Sequence, residues 1–375
     1  MMTGNRIKIL HMTPVDINNG VYRYIFNHMG FMDMQKYQFA FLTKGAEALR
    51  QTSECRKYGF PVHMLQNTQR DSREGLKEEV IRVLGRGYDA IHLHTSSWRG
   101  FLIEQTVMEM GIGQVIVHSH STGIDVPDDR ERQKQTEEHE RYKSLFSMEY
   151  ATDVCACSAL AADWLYGPGV PADRIQILPN AIDVERYHFH PEKRRQIREA
   201  LNLGGRIVIG NTGRYSYQKN QEFLIRAFAR AHERNPALFL LCLGEGEQLG
   251  SLKRLAGRLD IGDSVLCMDW RNNPEDYLQG MDLFCLPSRF EGLPISAIEA
   301  QAAGLRCLVS DCVTGEVRIT DLVTFLPLDE MLWAEELAGC RINEGRDRQD
   351  EKIAGAGYDI RTAAERLEEL YKKGG

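Results

Sequence analysis

The stretch SRFEGLPISAIEAQAAG, Ser288 to Gly304, places two carboxylates, Glu291 and Glu299, eight positions apart on either side of a Gly-Leu-Pro turn. Proline suits the first helical position, where its missing N–H would be an orphan donor, so Pro294 marks a helix start. Gly304 suits the left-handed geometry just past a helix end. Glu299 is therefore expected in the second turn of a short helix, with Glu291 just ahead of it. Both can face a ligand lodged at the helix N-terminus, where free N–H groups and the dipole favour anions. A second stretch, GRYSYQKNQEFLIRAF, puts Arg214 at the end of an apolar run and Lys219 at the entrance of the next helix. A guanidinium fork, a mobile ammonium and a helix N-terminus together make a diphosphate clamp.

Taken singly, each feature has an ordinary explanation. Arg214 and Lys219 could be surface cations, Glu291 a helix-start acid and Glu299 part of a solvated face. Those explanations do not account for cations and carboxylates recurring at one edge of one half of the chain. A clamp for phosphates beside acceptors for hydroxyls describes a nucleotide sugar, with one carboxylate for a ribose diol and the other for hexose hydroxyls.

The elements that must position these residues are short apolar runs separated by helical segments. In the first half the runs are Ile7–Met12, Gln38–Thr43, Val62–Leu65, Ala90–His94, Val115–His120 and Asp153–Ser158. In the second they are RIVIGNTG, ALFLLCLG, SVLCM, DLFCLPS, RCLVSD and LVTFLP. Near-continuous apolarity over so few residues suits parallel strands buried on both faces. The fold class is therefore α/β, with two doubly wound, Rossmann-like halves. Ligands of such sheets bind beyond the carboxyl ends of the strands, which predicts an interdomain cleft. The segment from Ile175 to His190, followed by a charged helix, reads as a linker, and Ile360–Lys373 reads as a final amphipathic helix.

Composition narrows the classes further. A net charge of −7 argues against nucleic acid as the main partner. Nine cysteines without a CxxC pair read as reduced thiols, and the expected location is cytoplasmic. No run approaches the roughly 18 apolar residues a membrane helix needs. LGEGEQLG, holding Gly244 and Gly246, lacks the third glycine of a dinucleotide fingerprint and reads as a strand-to-helix turn facing the nucleotide. That disfavours a nicotinamide-linked dehydrogenase. Two H-x-H pairs, His92 with His94 and His118 with His120, raise the question of zinc. No cysteine or carboxylate joins them at ligand spacing, so His92, His94 and His118 are expected to be packed or hydrogen-bonded, with no metal bound.

At this point the sequence resembles a known family. GRYSYQKNQEFLIRAF with PSRFEGLPISAIEAQAAGLRCLVSD looks like the retaining glycosyltransferases of the GT-B fold, family 4, and Glu291 and Glu299 meet their E-x7-E spacing. YATDVCACSALAADWLYG and SDCVTGEVRIT are similar to the bacterial exopolysaccharide and capsule members. The resemblance implies an acceptor-binding domain over residues 1–185, a nucleotide-sugar-binding domain over 186–355 and a helix, 356–375, crossing back to the first domain. Arg214 and Lys219 would hold the donor diphosphate, Glu299 the ribose and Glu291 the hexose, with backbone amides of Gly292 and Leu293 adding contacts. Gly20, in the loop PVDINNGVYRY, would approach the diphosphate, although Asn19 stands where the family usually has a second glycine. His120 matches the family's strand-end histidine near the reacting sugar. DWRNN, Asp269 to Asn273, falls where the family contacts the base.

The reaction implied is metal-independent transfer of a hexose or N-acetylhexosamine from a UDP-sugar to a glycan or polyprenyl-diphosphate-linked acceptor. Such an acceptor would bring the first half to the inner membrane face, where Arg70, Arg73, Lys77, Arg82 and Arg86 could form part of a contact surface. Two alternatives stay open: a nucleotide-sugar epimerase of the same fold, and a catalytically silent sugar-binding subunit of a polysaccharide assembly complex.

Overall fold

Strands of the kind expected assemble into two separate parallel sheets. The computed structural model of the protein describes residues 6–13, 20–271, 273–343 and 345–374. These residues form two compact units, one comprising Met1–Ile124, Asp128–Asn180 and Ile360–Gly375, the other Asp125–Pro127 and Ala181–Asp359. No helix among the described residues is long and apolar enough to cross a membrane.

In the first unit the strands are β1 (Ile7–Met12), β2 (Tyr37–Thr43), β3 (Val62–Met64), β4 (Ala90–Thr95), β5 (Gln114–Ser119), β6 (Asp153–Ala156) and β7 (Ile175–Ile177). They pair in the order β3-β2-β1-β4-β5-β6-β7, all parallel. Strand β7 corrects the reading of Ile175 onward as linker. It is three residues long at the sheet edge, and its Ile177 is 41% exposed, so it carries no apolar run to read. The order reverses between β1 and β4. Chain leaving their carboxyl ends departs in opposite directions, which opens a crevice there.

The helices Gly20–Met29 and Ile360–Tyr371 contribute to the core on one face of this sheet. In the second of these, Ile360, Ala363, Ala364, Leu367, Leu370 and Tyr371 are buried, the spacing of a single helical stripe. Beneath these helices lies a layer of histidines. Register places His11 beside His92 and His94 beside His118, so side chains from β1, β4 and β5 stand on one face. His92 and His94 stack at 4.2 Å between ring centroids, and His118 and His120 at 4.1 Å. Burial holds His11 down at about 3 and His28 at about 4. Burial, followed by the neighbouring imidazoles, also lowers His92, His94 and His118 well below the ordinary histidine value.

The second unit has β8 (Ile207–Thr212), β9 (Leu238–Leu243), β10 (Val265–Met268), β11 (Leu283–Leu286), β12 (Arg306–Ser310) and β13 (Val323–Leu326). Their order is β10-β9-β8-β11-β12-β13, again parallel, and it reverses between β8 and β11. Asp282, buried just ahead of β11, anchors this reversal. It accepts from Val208 N at 2.8 Å and pairs with Arg194 at 2.5 Å and Arg198 at 3.2 Å, docking the helix Pro191–Ala200. Each oxygen of a carboxylate this deeply buried needs such donors to offset its lost hydration.

The histidine layer sets an acid limit on the first unit. An unfolded histidine takes up a proton near pH 6.5, whereas His11, His28, His92, His94 and His118 stay neutral to far lower pH when folded. The unfolded state therefore binds more protons below pH 6.5, and stability falls as pH drops from 6.5 toward about 4, by up to about 1.4 kcal/mol per pH unit for each histidine. Hydrogen exchange, corrected for intrinsic rates, should show β1, β4 and β5 losing protection between pH 7.5 and 5 while β8 and β9 keep theirs. Equal losses in both sheets would contradict this account.

Candidate functional site

Arg214 and Lys219 both lie on the segment between β8 and the helix Gln221–Arg234, and Glu291 lies on the segment between β11 and the helix Ile295–Ala302. These are the two strand ends that flank the order reversal of the second unit. Local chemistry fixes the first segment. Gly213 adopts φ +152° and Asn220 φ +55°. The Asn220 side chain donates to Pro287 O at 3.1 Å, and Gln221 donates to Asn211 Oδ1 at 3.3 Å and to Arg214 O at 3.0 Å. Asn211 in turn donates to Cys285 O at 2.8 Å, tying β8 to β11.

Across this frame the charged groups meet. Lys219 Nζ lies 2.6 Å from Glu291 Oε1, with the carboxylate side chain only 7% exposed. Ser288 donates to the same oxygen at 2.7 Å, and Gln218 Nε2 donates to Glu291 Oε2 at 3.1 Å. The backbone N–H of Gln218 donates to Asp125 Oδ1 at 2.8 Å, and Asp125 Oδ2 pairs with the Arg214 guanidinium. Arg214, Asp125, Gln218, Glu291 and Lys219 thus form one continuous polar network, with both cations facing carboxylates. Asp125, Gln218 and Ser288 were not singled out from sequence. Asp125 lies in STGIDVPDD, 89 positions from Arg214, and no local pattern marks that contact.

Glu299 is placed by a different element. It lies in the buried helix Ile295–Ala302, and its Oε1 accepts from the Tyr187 hydroxyl at 2.7 Å. Tyr187 ends the short helix Val184–Tyr187, inside the segment expected as linker. Gly292 and Leu293 are buried in the turn ahead of the helix. Pro294 is the N-cap, one position earlier than expected, and Gly304 takes φ +66° past the helix end, as the sequence implies. The Gly244–Gly246 turn packs directly on the Arg214 segment, with Tyr215 N donating to Glu245 O at 2.8 Å. Of DWRNN, Asn273 bonds Asp276 at 2.8 Å, and Asn272 lies outside the described residues.

In the first unit, Gly20 opens the helix Gly20–Met29, and residues 14–19 ahead of it lie outside the described residues. His120 follows β5, with its Nε2 2.9 Å from His94 Nδ1. A pocket of about 450 Å³ lies at the carboxyl ends of β1 to β4, lined among others by Lys44, Asn67, Arg70, His94, Trp98 and Glu104. Burial pushes the Glu104 carboxyl up to about 7. At neutral pH it can therefore donate a hydrogen bond as readily as accept one. Arg70 pairs with Glu138 and Lys77 with Glu109, which reduces the positive charge of the surface expected from that region.

Comparison with known proteins assigns the chemistry. Residues 193–322 match the family described as Glycosyl transferases group 1. The chain is 28% identical to EpsF of Bacillus subtilis over 386 residues, covering 99% of this chain and 97% of that one. It is 23% identical to an Escherichia coli UDP-Gal:alpha-D-GlcNAc-diphosphoundecaprenol alpha-1,3-galactosyltransferase, covering 82% of this chain and 80% of that one. Among solved structures, Anabaena HepE in complex with UDP and glucose superposes with a TM-score of 0.76 at 17% identity, covering 98% of this chain and all of the other. The two sheets are thus those of the GT-B fold, and the chain, whose residues 193–322 match the group 1 family, is a glycosyltransferase.

The packing of the glycine turn can be checked directly. A Cβ on Gly244 would lie 1.9 Å from Gly213 O, so Gly244→Ala must displace the backbone that carries Arg214. It should destabilise the second unit by about 1–3 kcal/mol. Gly257→Ala, with nothing within 4 Å of the added methyl in the helix Leu249–Arg258, should instead stabilise by about 0.5–1 kcal/mol. Urea unfolding of both variants tests the contrast, and equal effects would contradict it.

Proposed function

We propose that this glycosyltransferase transfers a hexose or N-acetylhexosamine, with retention, from a UDP-sugar to a hydroxyl of a glycan or polyprenyl-diphosphate-linked acceptor, in the building of an extracellular polysaccharide. The observation that carries the reading is the single network joining Arg214, Lys219 and Glu291 at the order reversal of the second sheet. The E. coli relative, whose name specifies a UDP-Gal donor and a diphosphoundecaprenol acceptor, supports the donor and acceptor classes. HepE, solved with UDP and glucose, supports the nucleotide.

In this reading the donor diphosphate takes over the partners that the carboxylates hold. A phosphate oxygen replaces Asp125 on the Arg214 fork and on the Gln218 N–H, and a second draws the Lys219 ammonium. Glu291, released from Lys219 but still held by Ser288 and Gln218, accepts from the hexose hydroxyls. Glu299 takes the ribose diol while Tyr187 keeps its carboxylate in place. Amides of Gly292 and Leu293 add donors, and Gly20 is assigned to the diphosphate and His120 to the sugar. The transition state is oxocarbenium-like, and charge develops on the departing diphosphate. Fixed cations aimed at that charge supply the rate, so no metal is required. The leaving phosphate accepts the proton of the attacking hydroxyl on the same face, which preserves the anomeric configuration without a protein nucleophile.

The pocket holding Lys44, Arg70 and Glu104 is the proposed acceptor site, since it offers both cations and a carboxyl able to donate. An acceptor on a lipid carrier would place the enzyme in the cytoplasm, at the inner face of the membrane.

Lys219→Ala and Glu291→Ala should each lower kcat about 10²–10³-fold with the fold retained by circular dichroism, at a cost in melting temperature because each leaves a largely buried charge unpaired. Arg214→Lys should fail as well, because an ammonium cannot replace the bidentate fork. Product mass spectrometry across UDP- and GDP-sugars is the assay. Full activity of either alanine variant would overturn the site, and conversion of a donor without any acceptor would favour an epimerase instead.

A further inference from the structure

The reading above gives His120 a role but none to the histidines behind it, although their layer stands at the first unit's own order reversal. Two separate files of hydrogen bonds run through it. In one, His11 Nδ1 lies 2.9 Å from His94 Nε2, and His94 Nδ1 lies 2.9 Å from His120 Nε2. In the other, Tyr371 Oη lies 2.7 Å from His92 Nδ1, and His92 Nε2 lies 3.1 Å from His118 Nδ1. The files stack on each other through His11 with His92, His92 with His94 and His118 with His120.

Each neutral imidazole carries a single N–H, so one nitrogen donates and the other accepts. A file of three must then point all one way. If the protons ran from His120 to His11, His11 would be left with an N–H at Nε2. If they ran from His11 to His120, Nε2 would be a bare lone pair. His11 Nε2 is buried and has no hydrogen-bond partner among the described residues. Its neighbours Phe39 and Phe41 lie at 34° and 25° to its ring, so an in-plane N–H would meet neither ring face, and the near-perpendicular ring of Tyr371, its centroid 6.5 Å away, is too distant to accept one. Buried N–H groups without a partner are rarer than buried acceptors without one. The second direction is therefore the stable one.

We infer that His94 and His11 are positioning residues that fix His120 as the Nδ1–H tautomer, so that it donates its ring N–H to a hydroxyl of the sugar substrate. This rests on the proposed assignment of His120 to the sugar. Neutrality of the file agrees with it, since burial holds His11 and His120 at about 3, and a cation at His94 would donate to both neighbours and so force His11 into the Nε2–H form that has no partner. The tautomer decides what substrate His120 can hold. A hydroxyl oxygen fits an N–H, whereas a bare imidazole nitrogen would require the hydroxyl's own proton.

A metal ion is the competing account. Ligand nitrogens of His11, His92 and His94, and of His94, His118 and His120, lie within 4.8 Å of one another. Zinc, however, needs lone pairs converging on one point about 2.0–2.1 Å from each nitrogen. Here both nitrogens of His94 are turned toward neighbouring imidazoles at hydrogen-bond distance.

The experiment is long-range proton–nitrogen NMR on protein labelled with ¹⁵N in its imidazoles, with His120→Gln used to assign the signal. The wild type should show His120 protonated at Nδ1. His11→Phe, an apolar ring among Phe39 and Phe41, removes the first donor. It should leave His120 a mixture of tautomers and lower kcat about tenfold without lowering the melting temperature. His11→Asn, whose amide N–H sits where Nδ1–H was, should restore both tautomer and rate. Three results would overturn the inference: His120 protonated at Nε2 in the wild type, a tautomer indifferent to His11→Phe, or one tightly held metal ion per chain by elemental analysis. If His11→Phe does not fold, the wild-type spectrum decides alone. The spectrum needs no substrate, so the outcomes separate: Nδ1–H on a chain that transfers no sugar rejects the functional reading, whereas Nε2–H on an active enzyme rejects this one.

Discussion

Segments leaving β8 and β11 diverge from the point where the second sheet reverses its order, and the Lys219–Glu291 ion pair ties them across the gap. Its 2.6 Å contact joins an ammonium from one segment to a carboxylate from the other, both largely withdrawn from water. Such a pair contributes geometry more than stability, because lost hydration offsets much of the Coulomb attraction. What it fixes is the position of everything attached to it. Ser288 and Gln218 satisfy the rest of the carboxylate, Gln218 passes the connection to Asp125, and Asp125 reaches Arg214. The underlying amide bonds from Asn211, Asn220 and Gln221 hold the same two segments at backbone level. Charge and frame are thus built from the same few residues.

The two units solve one topological problem with different chemistry. Both sheets run outward from a central strand, reverse and run out the other side. In the second unit the reversal is filled by ion pairs, the groups that the proposed donor diphosphate would rearrange. In the first it is filled by neutral imidazoles donating to one another, beside a pocket that contains His94. A layer of that kind presents directional donors and acceptors without net charge. That suits hydroxyl groups, as the cationic segment of the other unit suits phosphates.

Much of this was legible in the sequence where burial on both faces left continuous apolar runs, as in β1, β4, β8 and β11. Where an element is short and half-exposed the signal vanished, which is why β7 was read as linker. Single chemical groups were legible by type and local spacing: Arg214 at a strand end, Lys219 at a helix entrance, Glu291 and Glu299 around a turn. Their partners were not. Asp125 meets Arg214 and Tyr187 meets Glu299 through contacts spanning 89 and 112 positions, which no local pattern encodes. The histidines show the boundary between the two cases. H-x-H on β4 and β5 announces two rings on one face, but His11 joins them only because β1 pairs with β4 in a register set by the whole sheet.

The helix Ile360–Tyr371 belongs to the first unit, yet the entire second unit precedes it in the chain. On the ribosome, every strand of the first sheet therefore emerges long before the helix that covers its histidine face. At about 5–20 residues per second, that face waits on the order of ten to forty seconds. During that interval His92 has no Tyr371 to bond, and Gln114 lacks the Leu370 carbonyl that it holds in the finished protein. The usual order of folding during synthesis is thus inverted. The half made second has nearly all of its own chain in hand first, and the half made first is completed only by a helix synthesised after the other half.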